Sequence, residues 1–104
     1  MRIISRGTVF AHEIGTDHQS CCFPAICVLP GGRWLCGFRA APTKTPNIGQ
    51  HVLLTWSDDE GRTWSKPTNP FVPPPVGAHP GLFRCVGLTA LGGKRVLAVL
   101  FWID

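Results

Sequence analysis

Twelve glycines and ten prolines punctuate a chain of 104 residues, spread along it rather than bunched. An average chain carries about 12% of the two together. Both residues weaken or break helix interiors. No stretch free of both is long and periodic enough for an amphipathic helix. Short strands joined by many turns are what remains, so the chain is expected to be all-β. Its apolar fraction of 44% is that of an ordinary globular chain, and its length suits one small domain.

Residues 22–39, CFPAICVLPGGRWLCGFR, read as two strands around Gly31-Gly32, a dipeptide suited to a two-residue hairpin loop. That loop would set Val28 opposite Leu35 and Cys27 opposite Cys36, with Pro24 at the strand start, where no ladder donor is needed. After a turn-rich stretch over 40–50, His51 to Trp56 reads as a third strand, and Arg62 to Pro67 as a short fourth. Residues 67–81 hold five prolines between Asn69 and Pro80 and read as a linker. A strand, a Gly-Gly turn at Gly92-Gly93 and another strand then follow, offset by 61 residues from Gly31-Gly32. The expected organisation is a lead-in over 1–21, a four-stranded unit over 22–66, the linker over 67–81, and the first half of a second unit over 82–104. Four strands repeated at this spacing are what one blade of a β-propeller requires. The fold expected is a partial propeller of about one and a half antiparallel blades, the N-terminal part of a longer chain.

The formal charge of +4 comes from ten Lys and Arg residues scattered singly. No basic stripe of the kind that binds nucleic acid is present, so no nucleic-acid partner is expected. The start, MRIISRG, is interrupted too early for a signal-peptide core, and no run reaches the length of a membrane span. A cytoplasmic chain with no membrane partner is the expectation. The five cysteines, an odd number without zinc-ribbon spacing, point to reduced thiols, and no metal or cofactor is expected.

Three consecutive acids, Asp58-Asp59-Glu60, invite three readings: catalytic carboxylates, a cation site, or a turn. The calcium-loop spacing is absent. Ser57, Asp59, Gly61, Thr63 and Trp64 satisfy S-x-D-x-G-x-T-W at all five specified positions. This is the Asp-box, or bacterial neuraminidase repeat, and the chain resembles the sialidase/neuraminidase superfamily of six-bladed propellers over most of residues 20–104. The turn reading then follows: Asp59 accepts from nearby backbone N–H groups, Gly61 takes a positive φ, and Trp64 folds over the turn. In that family the boxes lie on the rim away from the active site, which leaves Asp58 and Glu60 solvated.

The resemblance implies a sialidase-like glycoside hydrolase acting on terminal sugars of glycans; the alternative is a non-catalytic Asp-box propeller that binds glycan or protein. Family members clamp the substrate carboxylate with three arginines, for which the fork of Arg is suited. The first lies in an R-I-P tripeptide opening the first strand pair. Here that tripeptide is Cys22-Phe23-Pro24. The acid/base aspartate is expected in the loop after the second strand, yet Ala40 to Gln50 holds no acid, and Asp17 is the nearest alternative. The chain has no Tyr, the family's nucleophile, which comes from later blades. The remaining candidates are Arg39 as a ligand or loop contact, Arg84 as a ligand contact, and Asp17-His18 as an acid–histidine pair.

Overall fold

The computed structural model describes residues 2–44 and 49–104. Five strands form, and no helix, among the described residues: β1 (Ser20–Val28), β2 (Trp34–Ala41), β3 (His51–Ser57), β4 (Leu82–Gly92) and β5 (Arg95–Ile103). The first three make an antiparallel sheet in chain order, and β4 and β5 pair in a second. Among the described residues no helix is long and apolar enough to cross a membrane. The all-β expectation is met; the expected turns and registers are not all met.

The β1–β2 loop is one residue longer than expected. Gly32 N–H donates to the Leu29 carbonyl at 3.0 Å, and Leu29 N–H to that of Arg33 at 2.8 Å. Pro30 occupies the second turn position, where its fixed φ fits, and Gly31 the third at φ 98°. Gly32 follows at φ 102° and completes a three-residue loop. Cys27 therefore faces Leu35, and Ile26 faces Cys36. A slip of one residue moves each side chain to the other face, so Cys27 and Cys36 lie on opposite sides of the sheet.

The fourth strand expected over Arg62–Pro67 does not form as a regular strand. The segment meets β3 through one bridge, Leu54 with Thr68, one further backbone bond, Ser65 N–H to the Trp56 carbonyl at 2.8 Å, and side-chain bonds of Ser65 with Thr55 and Trp56. Pro67 sits between these contacts and has no N–H to continue the ladder. The first unit is thus three strands and a bridged edge.

β2 is the core strand. On one face Cys36, Phe38, Ala40 and Leu53 are buried under Val9 and Phe10 of the lead-in, with Cys21 and Trp64 at the margins. The Phe10 and Phe38 rings stack at 5.5 Å. On the other face β4 crosses over Gly37, where Val86 and Leu88 fill the space a side chain would take. β4 touches all three strands of the first sheet.

The 61-residue repeat appears as a shared irregularity. β1 carries a bulge between Cys22 and Ala25, and β4 carries one between Phe83 and Val86. Both bulge boundaries obey the same offset. The second strands do not, because the β4–β5 hairpin is longer: Gly92 pairs with Arg95, and the turn is Gly93-Lys94 rather than Gly92-Gly93. The proline-rich segment 67–81 contains no strand, only the Thr68 bridge to β3 and a bridge between Val76 and His79. Trp102 holds it down by donating from Nε1 to the Pro74 carbonyl at 2.9 Å.

Candidate functional site

The two ends of the first sheet carry different chemistry. At the end where β3 finishes, the acidic stretch closes a turn. The Ser57 hydroxyl, on a residue 1% exposed, donates to Asp59 Oδ1 at 2.8 Å and accepts the Gly61 N–H at 2.8 Å. Asp59 accepts the Thr63 hydroxyl on Oδ2 at 2.6 Å and the Thr63 N–H on Oδ1 at 2.8 Å. Those Thr63 bonds, joined by the Ser57 bond, hold the Asp59 carboxyl at about 2. Gly61 turns the chain at φ 83°, close under the Trp34 ring. Trp64 donates from its indole to the Gly61 carbonyl at 3.2 Å.

Asp58 is not simply solvated. It accepts both prongs of Arg33, at 2.8 and 3.0 Å, and this hydrogen-bonded pair draws its carboxyl below the usual range. The Arg33 guanidinium lies 5.4 Å from the centre of the Trp56 ring. Two of the three acids are therefore engaged in closing the turn and tying it to the β1–β2 loop. Glu60 is exposed at φ 58°, an uncommon backbone for a residue with a Cβ.

At the other end, β1 begins, β2 ends and β3 begins. Arg39 is 3% exposed there, and Gln50 2%. Arg39 donates from Nε to Gln50 Oε1 at 2.7 Å, and from Nη2 to the carbonyls of Thr43 and Lys44 at 3.3 and 3.5 Å. Its Nη1 points to the sulfur of Cys22, its cross-strand partner, at 3.6 Å. The guanidinium is thus a clamp on the loop that follows β2. Residues 45–48 of that loop lie outside the described residues.

His18 finds a carboxylate, but not the neighbouring Asp17. The chain turns over Glu13–Gln19, with Glu13 N–H donating to the His18 carbonyl at 3.1 Å. This brings Glu13 Oε1 to 3.2 Å from His18 Nδ1 and leaves Asp17 exposed on the turn. The His18 ring lies 5.4 Å from that of His51 and edge-on to Phe10. Beside them opens a cleft of about 460 Å³ lined by His12, Gln19, Ser20, Thr43 and Lys44 over a Phe10 and Cys21 floor. Burial, then the adjacent Cys22, pushes the Cys21 thiol up, with Arg39 opposing and Glu13 adding to the rise.

Arg84 lies elsewhere, in the β4 bulge, its guanidinium 5.9 Å from the centre of the Phe23 ring. Phe23 occupies the β1 bulge at φ 55°. The bulges of the two hairpins thus meet through these side chains. Among the described residues no cluster of three or more His, Cys, Asp or Glu could hold a metal ion. Chemically, the far end offers a carboxylate–imidazole couple for moving a proton, a cation that orders a loop, and a cleft rich in hydrogen-bonding groups. Glu13 and Gln50 have no sequence signature; their roles come from a turn and a strand start that only the fold brings together. In comparisons with known protein families, curated proteins and solved structures, nothing matches this chain.

Proposed function

We propose that this chain is part of a sialidase-like Asp-box propeller acting on terminal sugars of glycans at the sheet end that carries Arg39 and the His18–Glu13 couple. The observation that carries the reading is the separation of the two ends. The box closes its turn beyond β3, while the polar cleft lies where β1 and β3 begin, the relation the family resemblance implies. The apolar outward residues of β5, Leu97, Val99 and Phe101, support further blades packing beside it. The test is release of the fluorophore from a panel of fluorogenic glycosides, a sialoside included, from acid to neutral pH. Turnover that falls in a folded Glu13→Gln variant is expected; a panel with no turnover removes the hydrolase reading.

A non-catalytic, glycan- or protein-binding propeller is favoured by one observation. Cys22 stands at the family's first clamp position, and Arg39 beside it is already engaged by Gln50 and two loop carbonyls. Glycan binding without turnover would select this reading.

A further inference from the structure

Among the described residues, Cys22 alone of the groups that accept a hydrogen bond from Arg39 can carry a negative charge. The others are the Gln50 side-chain oxygen and two backbone carbonyls, all neutral. Among the described residues the ion pairs involve other groups, and no carboxylate lies within pairing distance of Arg39. A cation 3% exposed and held by neutral acceptors lacks a counter-charge. Gln50 makes the same point independently. Its oxygen serves Arg39, and its buried Nε2 has no acceptor. One buried cation here lacks a charged partner, and one buried amide N–H lacks an acceptor, among the described residues.

We propose that Cys22 is a modification site: its sulfur, held by the Arg39 guanidinium, reacts with peroxide and other soft electrophiles ahead of the chain's other cysteines. The two residues are direct cross-strand partners, and the guanidinium reaches the sulfur at 3.6 Å. A cationic donor beside the sulfur favours the charge that develops there as a thiol attacks an electrophile. Cys22 is half-exposed and opens on a shallow cleft with Val9, Phe10 and Pro24. Its rivals differ. Burial pushes the thiols of Cys21, Cys27 and Cys36 up, and Cys21 also donates its S–H to the His18 carbonyl. Cys85, in the β4 bulge, has no cationic donor among the described residues.

In the reaction with hydrogen peroxide the sulfur attacks one oxygen. An S–O bond forms, the O–O bond breaks, and hydroxide leaves and takes a solvent proton to become water. Sulfur gives up two electrons, which peroxide gains. The sulfenic acid oxygen then offers Arg39 an oxygen acceptor in place of sulfur, and a thiol reductant reverses the step. This proposal does not rest on the glycan reading, and its test contains no glycan.

The full chain is labelled with limiting iodoacetamide, and each cysteine is quantified by peptide mass mapping. Cys22 is expected to react about tenfold faster than the others. One equivalent of peroxide followed by dimedone is expected to place the adduct on Cys22, and Cys22→Ser to abolish it. In folded Arg39→Gln protein the preference disappears. Should that variant not fold, the ranking in the unaltered chain and the loss in Cys22→Ser decide. Equal rates at all five cysteines, Cys85 reacting first, or unchanged Cys22 labelling in folded Arg39→Gln overturns the proposal.

Discussion

Val86 of β4 lies so close over Gly37 of β2 that a Cβ built on the glycine would stand 2.5 Å from a Val86 methyl. The absent side chain lets the second hairpin settle onto the first sheet. Gly37→Ala is expected to cost about 1–3 kcal/mol through overpacking. Val86→Ala loses part of its own packing yet should recover much of that cost in the double variant. Thermal melts of the four proteins measure the coupling; additive losses would deny the contact.

Acid should loosen the box turn. The Asp59 carboxyl is depressed to about 2 by its Thr63 and Ser57 bonds. A depressed carboxylate contributes stability above its unfolded value, near 3.9, and loses that contribution as the pH falls through its folded value. Tryptophan fluorescence, reporting on Trp64, is expected to change between about pH 4 and pH 2. Asp59→Asn removes this acid step, while Asp58→Asn, at an exposed pair with Arg33, leaves it in place. An acid step unchanged in Asp59→Asn would assign it to another group.

Arg39→Met keeps the length of the side chain and removes its donors. Gln50 Oε1 and the Thr43 and Lys44 carbonyls then lose a partner. A loss of about 1–3 kcal/mol is expected from the buried Gln50 oxygen deprived of its donor. Hydrogen exchange should show the loop after β2 opening before the rest of the sheet. Loss of stability with no local change in exchange would contradict a loop-clamping role.

Trp102→Phe deletes the indole donor to the Pro74 carbonyl. Faster exchange over residues 67–81 is expected, with β1–β3 unaffected. Gly81→Ala should act similarly, because a Cβ there meets the Trp102 indole and the backbone holds φ 75°. An unchanged segment in both variants would show that Trp102 does not anchor it.

Glycine and proline spacing made the strand-rich architecture legible, and the spacing from Ser57 to Trp64 made the turn legible. Both are local signals. The β1–β2 register was misjudged because Pro30 can take the second turn position with Gly31 third, which pushes Gly32 into the loop as well. The fourth strand failed at Pro67, whose missing N–H outweighed the strand tendency of Thr63 and Trp64. At the candidate site, Asp17 adjoins His18 in sequence, yet the turn hands His18 to Glu13. Arg39 is in sequence a candidate ligand or loop contact, and the fold buries it and turns its Nη2 to the Thr43 and Lys44 carbonyls. These outcomes depend on chain reversal and burial, which residue spacing does not encode.

The bulge at Phe23 has a practical reach beyond geometry. Cys22 and Ala25 stand opposite Arg39 and Gly37, two residues on the same side of β2. The inward face of β1 therefore falls on an even number before the bulge and on odd numbers after it. A saturation mutagenesis profile along this strand should change phase at Phe23, and the profile along β4 should do so sixty-one residues later. An alignment or a variant-effect score that assumes unbroken alternation would assign inward positions to solvent along half of each strand.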